Sequence, residues 1–403
     1  MRAAIRSVLF SAIQGIDLDF VRGRYASNSG YRSDFLGLPG ATYTRAGAAT
    51  AETAAGAIIN FAANVPRVTD RGVLIEEART NLLLGSQVIG TAPWGIGNGG
   101  VGQAPTITQN YATAPDGTLT ATRAQFSLGG GTTGADQSLV NSGIVTVVNG
   151  SSYTLTIYLK SNDASSYVLQ LIDGQIGGSN AVTVTPAWQR FSRTVTTTST
   201  SSQLQFRLRG GATPTNSPTA DILAWGAQLE LGATPSSYIP TTAAAATRAA
   251  DIMYVPNGVS TTQSIVAEGS LIGVNNAAAT TRTLVSSGTS DGGTGRVMLY
   301  FSSSNVYPGY VQVSGADQAV LSVSALVGVG AVFRLATSVS TNDVRGAYNG
   351  TLATPDTLAS APAAERLSIG TTFAGGSPLN GYVRSIVYRE TTLTNAQLQA
   401  LTA

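Results

Sequence analysis

The side chains able to do chemistry in this chain are few, and their types exclude most mechanisms at once. There is no cysteine and no histidine, which removes thiolate and imidazole metal ligands, cysteine nucleophiles and any histidine-based triad. Carboxylate pairs are what remains for acid/base work. Glu76 and Glu77 are adjacent, so in an extended strand they point to opposite faces and cannot flank one glycosidic bond. Asp17 and Asp19 share a face if extended, but they sit in a stretch without sustained periodicity. A glycosidase needs two carboxyl groups about 5–9.5 Å apart across a cleft, and no spacing in the chain encodes that arrangement. Asp291-Gly-Gly-Thr-Gly295 is glycine-rich but has no phosphate-loop lysine and opens no helix, so it reads as a hairpin turn. The expectation is a protein that is not an enzyme.

Binding is the remaining chemistry. A pyranose presents C–H patches and hydroxyls, so sugar recognition combines aromatic faces with planar hydrogen-bonding side chains. Trp94, Trp188 and Trp225 are candidate platforms, yet Trp225 alternates in step with Leu223 and Leu229 and reads as core. The better carbohydrate-binding candidates lie on the polar faces of strands: Tyr158, Lys160, Gln170, Gln205 and Arg207. Fifteen tyrosines against three tryptophans also suit subunit interfaces.

Strands must position these side chains. Of 403 residues 43% are hydrophobic and only 11% charged, with a formal net charge of +2. So weakly charged a chain is no general polyanion binder, and nucleic acid is not an expected partner. Forty-six glycines, many Thr, Ser and Val, and few of the usual helix-surface residues point to an all-β fold. Lysine occurs once, at Lys160. No apolar run approaches the ~18 residues of a membrane-spanning helix. Residues Met1 to Phe20 carry only a short apolar patch, Val8 to Ile13, so a secretory signal is not expected.

Along the chain, residues 1–84 form an irregular stretch with short extended pieces at Ile16–Phe20, Thr42–Arg45, Ile58–Phe61 and Val73–Ile75. This stretch reads as an attachment arm that takes its order from neighbours. Residues 85–240 show period-two strands. Tyr153, Leu155, Ile157 and Leu159 share one face, as do Leu204, Phe206 and Leu208. In the next strand Leu223, Trp225, Ala227, Leu229 and Leu231 share a face. Ala114-Pro-Asp-Gly117 is a tight-turn signal. Residues 241–250 read as a linker. Residues 251–403 repeat the logic: Val297, Leu299 and Phe301 alternate, then Phe333, Leu335, Thr337 and Val339. Tyr348-Asn-Gly-Thr351 marks a hairpin, and Thr394-Asn-Ala-Gln397 is a capping box opening a short helix with Leu398 and Leu401 inward. The expected architecture is all-β: two tandem antiparallel β-sandwiches after an irregular N-terminal arm.

Three stretches resemble modules of bacteriophage and prophage virion proteins. Gly72-Val-Leu-Ile-Glu-Glu-Ala-Arg-Thr-Asn-Leu-Leu-Leu84 resembles the lead-in to such fibre modules. Thr185-Pro-Ala-Trp-Gln-Arg-Phe191, with Ala224-Trp-Gly-Ala-Gln-Leu-Glu230 and Ser237-Tyr-Ile-Pro-Thr241, is similar to the family 4/9 carbohydrate-binding jelly roll. Leu379-Asn-Gly-Tyr-Val-Arg-Ser-Ile-Val-Tyr388, followed by Leu393–Leu401, is similar to the end of a laminin-G/concanavalin-like sandwich. Leu18-Asp-Phe-Val-Arg-Gly-Arg-Tyr25 is similar to the starts of such proteins in alphaproteobacterial phages.

The resemblance implies a virion surface protein, a tail fibre or head spike of a phage or gene transfer agent. It would adhere to host capsule or lipopolysaccharide glycans and attach to capsid or tail proteins through the arm. Such a protein would be made in the host cytoplasm and assembled as a homo-oligomer, a trimer or alternatively a pentamer. The alternatives are a purely structural virion decoration or connector, and a polysaccharide depolymerase. The jelly-roll resemblance also places Trp188 inside and implies a structural calcium, with Asp221 or Glu230 as ligands. The residue types themselves imply no cofactor.

Overall fold

The structure, a computed structural model, describes residues 15–211, 217–273, 281–289, 295–302 and 304–403. It is an all-β fold of antiparallel sandwiches, with one α-helix, Asn395–Thr402, among the described residues. The chain divides into two compact units. One comprises residues 49–60 and 79–248; the other comprises 1–48, 61–78 and 249–403.

In the unit built around residues 79–248, two five-stranded sheets face each other. The first runs Gly95–Gly99, Gln137–Asn141, Leu204–Arg209, Tyr167–Asp173, Gly177–Val184 in spatial order. The second runs Gln103–Ala112, Ala121–Ser127, Thr219–Leu231, Ser152–Ser161, Gln189–Thr196. Alternation dictates what lies between them. Leu155, Ile157 and Leu159 meet Leu169, Leu171, Leu204, Phe206 and Leu208 in one buried cluster. Each such aliphatic side chain contributes about 1.5–3 kcal/mol by leaving water.

Strand Thr219–Leu231 departs from simple alternation. Its register against Ser152–Ser161 shifts between Thr156 and Tyr158, where Gly226 adopts φ +63. That extra residue flips the phase, as a bulge does. Ile222, Ala224, Ala227 and Leu229 therefore point into the main core. Trp225 points the other way, into a satellite cluster with Tyr158 and Tyr238. The expected common face of Leu223, Trp225, Ala227, Leu229 and Leu231 is thus split, and Leu231 is exposed. Glycine fits the bulge because a Cβ there would stand 3.0 Å from the Tyr158 ring at a backbone angle that L-residues avoid.

The other unit pairs a ten-stranded with a seven-stranded sheet among the described residues. Val297, Leu299 and Phe301 of one meet Phe333, Leu335 and Val339 of the other. Asn349 and Gly350, both with positive φ, make the hairpin turn joining Asp343–Tyr348 to Thr351–Leu352. Thr394 caps the helix in a complete capping box with Gln397.

The division differs from the expected boundaries of 1–84, 85–240, 241–250 and 251–403. Strand Gly15–Asp19 lies antiparallel along Gly381–Arg389, with Ile16 opposite Tyr388 and Leu18 opposite Ile386. Gly72–Ile75 extends along the same partner, and Thr42–Thr44 pairs with Ile252–Pro256. Ile16, Leu18, Phe20, Tyr25 and Phe35 are buried in that unit's core. The four short extended pieces are strands, as expected, but three of them complete the C-terminal sandwich. The fourth, Ile58–Phe61, forms a hairpin with Ala49–Glu52. Within the expected linker, Ala246–Arg248 pairs with Arg79–Asn81.

Candidate functional site

Gln170, Gln205 and Arg207 come together on the outer face of the sheet that starts with Gly95–Gly99. Their strands bury Leu169, Leu171, Leu204, Phe206 and Leu208 on the inner side, so alternation leaves these polar residues outside. Arg207 sits opposite Gln170 on one neighbouring strand and Leu139 on the other. Its Nε donates to Gln170 Oε1 at 2.9 Å, and its Nη1 donates to Gln137 Oε1 at 2.7 Å. Burial, and then repulsion from Arg209, push the Arg207 guanidinium below its ordinary value. It is a cation held by two neutral amides rather than neutralised by a carboxylate.

The adjacent row places Asn141 opposite Gln205, and Gln205 opposite Ile172. Gln137 and Asn141 were missed from the sequence. The signal available was their alternation with Val140 in Gln137–Asn141, a five-residue strand. At the sheet edge Gly95 and Gly97 face Asn141 and Leu139; a Cβ on Gly95 would stand 2.7 Å from Asn141 Oδ1. The bare edge strand keeps this face low beside its amides. Chemically it offers planar donors and acceptors around the Arg207 guanidinium, suited to hydroxyls.

Tyr158 and Lys160 belong to the opposite sheet, on Ser152–Ser161, so the five candidates do not form one site. Tyr158 is buried, not solvated. Its ring packs edge-on to Trp225 at 5.6 Å and near Tyr238 at 6.4 Å. Its hydroxyl donates to Glu52 Oε2 at 3.1 Å. The hairpin of Ala49–Glu52 and Ile58–Phe61 brings Ile58 into this cluster, and so converts an expected polar face into a second small core. Lys160 is half-buried opposite Leu223.

The tryptophans are not sugar platforms of an open face. Trp94 and Trp225 are buried; Trp225 Nε1 donates to Thr120 Oγ1 at 3.0 Å. Trp188, expected inside, is half-buried, with its Nε1 3.3 Å from Thr113 O.

The calcium candidates have other partners. Asp221 accepts from Arg123 Nε at 2.9 Å (Oδ1) and 3.2 Å (Oδ2), from Arg123 Nη2 at 2.6 Å (Oδ2), and from Asn162 Nδ2. Glu230, fully buried, accepts from Gln228 Nε2, Ser236 N and Ser236 Oγ. Nine residues apart on one strand, they stand about 30 Å from each other and cannot share an ion. Among the described residues no group of three or more Asp or Glu is placed to hold a metal.

For acid/base chemistry, Glu77 receives Asn380 Nδ2 at 3.2 Å, and Glu76 lies buried against Arg67 at 2.6 Å. Asp251 also binds Arg67, and all three side chains are fully enclosed. That carboxylate pair is closed to solvent. The Asp291–Gly295 turn lies outside the described residues except for Gly295.

No protein-family model matches the chain, and no curated protein matches it. Among solved structures it is similar to domain 4 of an extracellular arabinanase from Geobacillus stearothermophilus, in complex with arabinotriose. That match has 17% identity and TM-score 0.30, covering 42% of this chain and 82% of that one. It is also similar to the CBM40 of a Ruminococcus gnavus sialidase bound to sialyllactose, at 16% identity and TM-score 0.29, covering 36% and 84%. A third is a Limulus polyphemus pentraxin, at 14% identity and TM-score 0.27, covering 36% and 70%.

Proposed function

We propose that this chain is a non-catalytic glycan-binding protein of a virion surface, a fibre or head spike that adheres to host polysaccharide. One observation carries the binding part. Arg207 is clasped by Gln137 and Gln170 on an outer sheet face, beside Asn141 and Gln205. Such a row of planar amides around a guanidinium matches the hydroxyls of a sugar, and the lack of a carboxylate partner leaves the cation to a ligand. The virion part rests on the resemblance of residues 72–84, 185–241 and 379–401 to phage fibre modules. Attachment to capsid or tail proteins through the N-terminal segment belongs to the same proposal. So does homo-oligomerisation, with a trimer favoured, since linked weak sites gain about 10²–10⁴ in avidity.

Affinity electrophoresis of the full chain through gels containing purified host capsule or lipopolysaccharide tests the binding. Retardation that falls at least tenfold in N141A/Q205A, without release of reducing ends, is the expected result. Retardation unchanged by that variant refutes this face as the site. No retardation at all favours a structural decoration protein, and release of reducing ends favours a depolymerase.

A further inference from the structure

The second sheet of the unit around residues 79–248 carries another polar surface, built around the single lysine of the chain. On its outer side one cross-strand row reads Thr108, Arg123, Leu223, Lys160. Leu223 faces outward, because Ile222 and Ala224 on the same strand point into the main core. Yet Leu223 is only 3% exposed, so the side chains beside it close over it. Its two neighbours in the row, Arg123 and Lys160, are both half-buried. A lysine stem lies readily on such apolar surface with its ammonium at the rim. The adjacent row contains Trp225 and Tyr158 of the satellite core, against which Trp188 packs.

Charge on this surface is unequally matched. Arg123 is committed: its Nε and Nη2 donate to Asp221, which also accepts from Asn162 Nδ2 at 3.1 Å. Asp163, three residues beyond Lys160, accepts from Tyr167 Oη at 2.6 Å and Ser165 N at 2.8 Å. Lys160 itself has no ion pair and no hydrogen-bond partner among the described residues. A half-buried ammonium without a counter-charge favours an anion beside it. At the other end of the row Tyr111 is 42% exposed, with the Arg123 guanidinium 4.8 Å from its ring centroid. Arg123 and Lys160 stand two strand spacings apart, about 10 Å. An open aromatic ring and an unneutralised cation therefore flank one short row.

We propose that this surface binds a carboxylate-bearing saccharide, the repeating unit of an acidic polysaccharide. The carboxylate pairs with Lys160 Nζ, because a single ammonium matches a singly charged group. The adjoining sugar lays its C–H face on the Tyr111 ring, and its hydroxyls meet exposed Thr108 and half-buried Asn162. The spacing of Lys160 and Tyr111 suits a disaccharide unit better than a lone sugar. Nucleic acid is a poorer fit, since one unpaired lysine cannot follow a phosphate backbone. The proposal rests on the glycan-binding reading and deepens it by adding a second surface and its ligand class.

The test is affinity electrophoresis of the full chain in polygalacturonate, alginate and hyaluronate, with mobility in polymer-free gel as reference. Carboxyl-reduced polygalacturonate and dextran sulfate serve as controls. K160M keeps the apolar stem over Leu223 and removes the charge, whereas K160R keeps the charge. The expected result is retardation by at least one carboxylated polymer, reduced roughly tenfold in K160M and less in K160R. Y111A reduces it too, and melting temperatures stay unchanged. Should K160M melt lower, Y111A, which alters an exposed ring, decides alone. N141A/Q205A keeps this retardation, because its face is the outer side of the other sheet. Absence of retardation by all three polymers overturns the proposal. Equal retardation by the carboxyl-reduced polymer or by dextran sulfate does the same, as does retardation unchanged in K160M and Y111A. Retardation lost in N141A/Q205A and kept in K160M refutes this surface and leaves the Arg207 face standing, so the two failures are distinguishable.

Discussion

Arg67 and Asp251, 184 residues apart, form an ion pair with no solvent exposure on either side chain. Arg67 also binds Glu76 at 2.6 Å, and Asp251 accepts from Tyr43 Oη at 2.5 Å. The network ties three chain segments, around residues 43, 67–76 and 251, into one unit. Replacing Arg67 with Met removes the cation that Glu76 and Asp251 share and leaves Asp251 to Arg45, 3.4 Å away; breaking such a buried pair costs about 3–5 kcal/mol. Urea unfolding of R67M is expected to show that loss; a change under about 1 kcal/mol would mean water or another cation replaces the guanidinium.

Truncation is a sharper test of how the N-terminal region is used. Strand Gly15–Asp19 is hydrogen-bonded on both sides, to Arg24–Ser27 and to Gly381–Arg389. Removing residues 1–48 strips Ile16, Leu18, Phe20, Tyr25 and Phe35 from a shared core. The expected result is a C-terminal sandwich that no longer folds, seen as loss of a cooperative thermal transition. A truncated chain with native-like melting would return this region to the status of a detachable arm.

Tyr158 provides a test of burial against binding. Because its hydroxyl faces Glu52 inside a small core, Y158F is expected to lose about 1 kcal/mol of stability and no glycan affinity. Gly226→Ala should be worse than its small size suggests, at about 1–3 kcal/mol, since it forces an L-residue into positive φ beside that ring. Circular dichroism melts and the electrophoretic assay separate the two effects.

The pH dependence follows from two sets of groups. Hydrogen bonding from Arg123 holds Asp221 below its ordinary value of 3.8. Its carboxylate therefore adds stability above that pH, and the contribution fades as pH falls through it. D221N should be less stable than the parent at pH 7 by about 1 kcal/mol or less, the pair being partly exposed. The difference should shrink by pH 3. At the alkaline end, burial pushes the Tyr25 and Tyr388 phenols up to about 12. Their neutral forms stabilise the fold fully below pH 10, and that stability is lost as pH rises through 12. Absorbance titration at 295 nm should show tyrosines that ionise only with unfolding. A single smooth titration centred at the ordinary value would contradict their burial.

By itself the amino-acid order determined the class of fold and the inward faces of its longer strands. Period two placed Leu155, Ile157, Leu204, Phe206, Val297 and Phe333 correctly, because burial of one face is a local property of a strand. Turn and cap chemistry at Asn349-Gly350 and Thr394–Gln397 was equally legible, since each acts within four residues. Tertiary structure decided everything that depends on partners. The short pieces at Gly15–Asp19 and Thr42–Thr44 were legible as extended chain, but not the sandwich they complete. That is set by neighbours more than 200 residues away, Gly381–Arg389 and Ile252–Pro256. The same reason governs the sites. Alternation says that Tyr158 and Arg207 both face away from the main core, but not that a hairpin from residues 49–61 buries one and leaves the other half-buried. Nor does local sequence say that Arg296 and Arg366, seventy residues apart, both lie opposite Gly288.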